Sequence, residues 1–309
     1  MEEEIRLTND LVFQRIFGKV GNENITKAFL EKVLGIEIES LTLDTNKRLI
    51  GERLEDKIGR VDVKAILNNG TKVIIEIQVA RYKYMAKRLL YYWAQTYTGD
   101  LKRGKEYDIL NKTIAILISV EELEETKGIE KYHTKWEIRE EENINKKLTE
   151  DLEIHIIELS KFKEGQEIRP EDNWIRALKS KGVDEMKKIS ELDKQIKEMK
   201  EELERITADP ELREKYYQRE KNLRDALSWI KAEREEAREQ GREQGRNEGR
   251  KEGREEGIKE GRAEGREEGI KENRKEIVLS MHKKDINIET ISEIVKLSKK
   301  EIEKIIKEN

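Results

Sequence analysis

The chain has 309 residues, of which 43% are charged and 35% hydrophobic, with a formal net charge of −4. So small an apolar share cannot fill one compact core of this length, so part of the chain is expected to be elongated and solvated. The absence of cysteine excludes disulfides, thiol nucleophiles and cysteine-ligated zinc or iron–sulfur centres, and His133, His155 and His282 lack metal-ligand spacing. The start, MEEEIRLTN, is acidic without an apolar stretch, and no run approaches the roughly 20 apolar residues of a membrane helix. A cytoplasmic location is the expectation.

Residues 9–35 (NDLVFQRIFGKVGNENITKAFLEKVLG) read as two helices punctuated by Gly18, Gly21 and Gly35. Strands are expected over 38–43, 59–67 and 71–79, followed by a helix over 82–102 and a buried strand over 112–120 (KTIAILISV). Two further strands are expected over 132–138 and 152–159. The order is α-β-β-β-α-β, an α/β domain.

The strands over 59–67 and 71–79 form a hairpin whose turn is Asn68-Asn69-Gly70, with Gly70 in the left-handed position. Leu67 then pairs with Thr71, and counting back along the ladder sets Asp62 opposite Glu76. Gln78 shares the face of Glu76, because side chains alternate. Opposed carboxylates with β-carbons about 5 Å apart repel each other, and buried acids are rarely unpartnered. A divalent cation resolves both problems, and hard oxygen ligands suit magnesium. The competing reading is a solvated hairpin face with chance acids, or a salt bridge between Glu76 and Lys64.

From Ile77 to Gly99 there is no acidic residue, although Arg81, Lys83, Lys87 and Arg88 are interleaved with Tyr82, Tyr84, Tyr91, Tyr92, Trp93 and Tyr97. Cations on a helix beside the carboxylates would hold a phosphodiester backbone. The opposite face, with Leu89, Leu90, Trp93 and Tyr97, would pack on the sheet. Arg88 has a second reading, as partner of a catalytic carboxylate. Residues 1–112 carry 20 Lys+Arg against 17 Asp+Glu, so any nucleic-acid charge must be local.

From Pro170 strand signals vanish. Residues 173–240 are helical and charged, with a break near Asp209-Pro210. Glycine then recurs every fourth residue from Gly241 to Gly269. Eight helical glycines cost about 1 kcal/mol each relative to alanine. Such a segment is loosely ordered or offset by close helix–helix approach, and a weak, flexible helical arm is favoured over a strong coiled coil. Residues 231–276 carry 14 basic and 15 acidic residues, so this is no basic arm. An isoleucine-rich pattern returns over 274–309, with Asn287 as a cap and Ser298 with Glu301 as a capping box. It fits a helix-turn-helix-like bundle or a small dimerisation bundle equally. The divisions are 1–168, 169–240, 241–273 and 274–309.

Several of these residues resemble a known family. They are Thr8-Asn9-Asp10-Leu11-Val12-Phe13 with Ile16-Phe17-Gly18, Gly59-Arg60-Val61-Asp62-Val63, Glu76-Ile77-Gln78, and Arg88, Tyr92, Gly104 and Tyr107. Over roughly residues 6–270 the chain resembles the recombination-promoting nuclease (Rpn) and putative transposase family of the PD-(D/E)XK superfamily. The resemblance implies a restriction-endonuclease-like core, a mixed sheet flanked by helices, with an all-helical C-terminal half. It implies a DNA endonuclease using Mg2+ (or Mn2+) that promotes recombination or accompanies mobile elements. Asp62, Glu76 and the Ile77 carbonyl would hold the metal, and Gln78 stands where the superfamily usually has lysine. Asp10, Lys64 and Tyr92 are accessory candidates, although Asp10 could simply cap the first helix. DNA is the implied partner, and one site per chain makes a homodimer through the C-terminal helices useful. A catalytically inactive DNA-binding or scaffold protein of nuclease ancestry is the alternative.

Overall fold

The computed structural model describes residues 4–44, 61–79, 84–165 and 169–308. Two compact units divide the chain, 1–227 and 228–309. Gly59, Arg60, Arg81, Tyr82 and Lys83 lie outside the described residues.

The first unit opens with α1 (Asp10–Phe17) and α2 (Glu23–Leu34), the two helices expected from the glycine punctuation. The cap of α1 is Asn9, whose side chain accepts from the Leu11 and Val12 amides, so Asp10 lies in the first turn and is not the cap. Gly35 ends α2 in the left-handed conformation, φ 65°. Then follow β1 (Leu41–Leu43), β2 (Val63–Leu67), β3 (Lys72–Gln78), α3 (Met85–Thr98), β4 (Thr113–Ser119), β5 (His133–Trp136) and β6 (Leu152–Glu158). They form a six-stranded mixed sheet in the order β1-β2-β3-β4-β6-β5. β1, β2 and β3 are antiparallel neighbours, β3, β4 and β6 run parallel, and β5 joins β6 antiparallel.

The β2–β3 turn has the inferred form. Gly70 has φ 82°, and the Leu67 amide donates to the Thr71 carbonyl at 2.9 Å. Val63 pairs with Ile75 and Ala65 with Val73, so one step further back is Asp62 against Glu76. β4 is buried along its whole length, as a central parallel strand covered on both faces must be.

Alternation sorts the side chains into two cores. Val63, Ala65, Val73, Ile75, Ile77, Ile114, Ile116 and Ile118 pack against α1 and α2. On the other face Ile74, Ala115, Leu117, Ile154 and Ile156 meet Met85, Leu89 and Tyr92 of α3. Beyond the sheet come α4 (Asp172–Lys179), α5 (Val183–Ser190), α6 (Lys194–Ala208) and α7 (Pro210–His282), with the expected break at Asp209. The first three are not merely solvated charged helices. Trp174, Ile175, Met186, Ile196, Met199 and Leu203 are fully buried in the same core as α1 and α2.

The rest of α7 carries the glycine repeat, which is helical and exposed throughout. In the second unit, α8 (Ile288–Val295) and α9 (Lys299–Lys307) have the anticipated Asn287 cap and Ser298–Glu301 capping box. Val278, Ile291, Val295 and Ile302 are buried together there.

Candidate metal and active site

The ladder between β2 and β3 ends at Val63–Ile75, and Asp62 follows in a bend. The bend also carries Val61 into the cluster around Ile74 and Leu89, away from that of Val63. The Asp62 carboxylate takes the place of the missing ladder partner. Its Oδ2 accepts the Ile77 amide at 2.8 Å, and its Oδ1 accepts from Gln14 Nε2 of α1 at 2.8 Å. The side chain is thereby fixed against that of Glu76.

Both carboxyls are inside the protein, Asp62 6% and Glu76 3% exposed. Burial raises the Asp62 pKa above the ordinary carboxyl value, against the lowering effect of the Ile77 and Gln14 hydrogen bonds. Glu76 is raised well above its ordinary value, first by burial and then by the Asp62 charge, with the Arg88 guanidinium pulling the other way. Two ionised carboxylates held together away from water are disfavoured, so the pair favours sharing a proton, and a bound cation would offset the same repulsion. Glu76 Oε1 is buried with no hydrogen-bond partner among the described residues, and such an atom is costly to leave unsatisfied.

These residues fit a hard divalent cation. In an extended strand the N–H and C=O of one residue leave on the same side. The Gln78 carbonyl accepts from Val120 on the β4 side, whereas Ile77 directs its N–H to Asp62. The Ile77 carbonyl therefore leaves β3 on the Asp62 side, away from β4. Among the described residues no group of three His, Cys, Asp or Glu side chains could hold a metal. The donors available to such an ion would be two carboxylates and a main-chain oxygen, a set suited to an ion that keeps several waters.

The other sequence candidates divide. Gln78 is half-buried at the end of β3, on the Glu76 face and level with Ser119. Arg88 Nε donates to Tyr92 Oη at 2.9 Å and forms no ion pair with either carboxylate among the described residues, its charge reaching Glu76 only through space. Asp10 stands one helical turn before Gln14, and its charge raises both carboxyl pKa values. Lys87 is exposed beside the Tyr84 ring. Lys64 is turned elsewhere, paired with Asp44 at 2.9 Å and not with Glu76. Arg81 and Lys83 are outside the described residues.

Sequence reading missed Gln14, for which a lone glutamine on the flank of an amphipathic helix gave no signal. It also missed a histidine pair. His133 Nε2 lies 2.8 Å from His155 Nδ1, with Glu171 on the other nitrogen of His133 (2.9 Å) and Glu153 on that of His155 (2.8 Å). The histidines are therefore not all scattered, because β5–β6 pairing sets Lys135 opposite His155 and makes His133 its diagonal neighbour. Chain spacing carries no trace of that.

A mixed sheet whose antiparallel hairpin bears two carboxylates and continues into parallel strands through a crossover helix is a PD-(D/E)XK nuclease fold. The family model described as PD-(D/E)XK nuclease family transposase matches residues 7–233, and the chain belongs to that family. No curated protein and no solved structure matches it. No helix among the described residues is long and apolar enough to cross a membrane.

Proposed function

We propose that the chain is a divalent-metal-dependent DNA endonuclease serving recombination or mobile elements. The observation that carries this reading is the buried Asp62–Glu76 pair, with Glu76 Oε1 lacking any hydrogen-bond partner among the described residues. Mg2+ or Mn2+, when bound, would supply Lewis acidity to the scissile phosphate and to the attacking water. Asp62, Glu76 and the Ile77 carbonyl would hold that ion. Gln14 and the Ile77 amide keep Asp62 oriented, and Gln78 positions the attacking water by hydrogen bonding. Arg88, held by Tyr92, moderates the rise of the Glu76 pKa, while Arg81, Lys83 and Lys87 are assigned to backbone phosphates.

A plasmid-nicking assay with Mg2+, with and without EDTA, tests this. Asp62→Ala and Glu76→Ala should each abolish the EDTA-sensitive cleavage while the fold is retained. Undiminished cleavage by either variant removes the assignment. Glutamine at position 78 favours a second reading, a DNA-binding or scaffold protein without turnover, because an amide provides no cationic acid. Metal-dependent DNA binding without nicking by the wild type would select it.

A further inference from the structure

The N-terminal segment leading into α1 is clamped by the first turns of α7. Tyr216 is buried, accepts from the Arg6 amide at 3.4 Å and donates to the Glu4 carbonyl at 3.2 Å. Glu220 Oε1 accepts from Asn9 Nδ2 at 2.7 Å. Arg219 forks onto Asp10, its Nε 2.9 Å from each carboxylate oxygen and its Nη2 also on Oδ2. Positions 216, 219 and 220 share one face of a helix, and between them they hold Glu4, Arg6, Asn9 and Asp10 at the entry to α1. Asn9 works twice, since its Oδ1 caps α1 while its amide nitrogen engages Glu220.

An exposed ion pair by itself contributes little. What gives this one a consequence is the short rigid helix behind it. One turn after Asp10, Gln14 reaches Asp62 Oδ1 at 2.8 Å. The chain of contacts therefore runs from α7 through Asn9 and Asp10, along α1, to the carboxylate that faces Glu76. Asp10 would otherwise be a third acid bearing on two buried carboxyls, and Arg219 is the cation set against it.

We propose that Gln14, Arg219 and Glu220 are positioning residues for the metal-binding pair, with α7 fixing α1 and Gln14 fixing the plane of the Asp62 carboxylate. This rests on the metal reading of Asp62 and Glu76. Residues that orient a metal ligand from behind commonly cost 10- to 100-fold in metal affinity when removed. Mn2+ binding to the full-length protein, measured by calorimetry without DNA, gives a readout independent of turnover.

Gln14→Ala should weaken Mn2+ binding by about 10- to 100-fold with circular dichroism unchanged. The double variant Arg219→Ala/Glu220→Ala should weaken it in the same direction, and Arg219→Lys should lose less than Arg219→Ala. Asp62→Ala is the control that must abolish binding. A wild type that binds Mn2+ through Asp62, together with a folded Gln14→Ala of equal affinity, overturns the positioning role and leaves the metal reading intact. A wild type without Asp62-dependent binding overturns both. Should the double variant fail to fold, Gln14→Ala decides, because its half-exposed side chain can be shortened without opening the core.

Discussion

Glu76 faces Asp62 with an unequal share of hydrogen bonds. Asp62 has donors on both oxygens, Gln14 and the Ile77 amide, whereas Glu76 Oε1 is buried and has none among the described residues. Burial and the Asp62 charge accordingly raise the Glu76 pKa more strongly than that of Asp62, which disfavours the ionised pair in the metal-free fold. Removing that ionisable group while keeping its shape should help. Glu76→Gln is expected to raise the stability of the metal-free protein at pH 7.5 by about 1–2 kcal/mol. That is roughly 2–8 °C in melting temperature for a unit of this size. The same variant should lose stabilisation by Mg2+. Calorimetric melting in EDTA and in Mg2+ measures both, and an unchanged or lower melting temperature in EDTA contradicts the assignment.

The pH dependence has a definite sign. Both carboxyl pKa values are raised in the folded protein, Glu76 the more strongly. Between the unfolded and folded values the native state binds more protons, so metal-free stability falls as pH rises through that window. The loss is complete above the folded Glu76 value. Metal competes for the same oxygens, so Mn2+ affinity should rise with pH over the same window and then level off. Thermal shifts with saturating Mn2+, recorded from pH 5 to 8.5, should grow with pH. A shift independent of pH would show that the ion does not displace a proton from this pair.

Lys87 and Arg88, adjacent in sequence, should separate when mutated. Lys87 is exposed and has only the Tyr84 ring beside it in the described structure. Lys87→Ala should weaken binding to all DNA sequences alike and reduce the salt slope by about 0.9 log units. Arg88 is half-buried, holds Tyr92 Oη, and lowers the Glu76 pKa. Arg88→Ala should thus impair metal loading and cleavage more than DNA binding. Fluorescence anisotropy in Ca2+ against NaCl, beside cleavage rates in Mg2+, distinguishes them. A sequence-selective loss in Lys87→Ala would oppose a phosphate contact.

The hairpin was legible in the sequence because its signals are local. Asn68-Asn69-Gly70 fixes the turn, and period-two alternation fixes everything counted back from it, including Asp62 against Glu76. The fold class was legible for the same reason. The bend at Asp62, the Gln14 hydrogen bond and the His133–His155 contact were not, because each depends on where a distant element lands. The burial of Trp174 and Met199 was hidden by composition. A helix with one apolar stripe amid lysine and glutamate reads as charged whether or not that stripe meets a sheet.

The glycine repeat offers the test of assembly. A β-carbon added at any glycine from Gly241 to Gly269 would meet nothing within 4 Å in the single chain. Among the described residues, no packing within the second unit therefore explains eight residues that each cost a helix about 1 kcal/mol. Close approach of a second helix would, because a small-residue seam lets two backbones come together. In the bundle that follows, Ile291 and Ile302 are taken up by its own core, and Ile294 is left exposed. On this reading Gly249→Ala/Gly257→Ala should raise helicity in dilute solution yet weaken a dimer that deletion of residues 241–309 abolishes. Light scattering across a concentration series measures the association. The truncated chain should be a monomer that still nicks plasmid DNA but makes fewer double-strand breaks, since one site per chain cuts one strand at a time. A double variant that dimerises as tightly as the wild type would transfer the contact to the terminal bundle. A full-length monomer would remove the assembly role altogether and leave that bundle as an accessory for binding DNA.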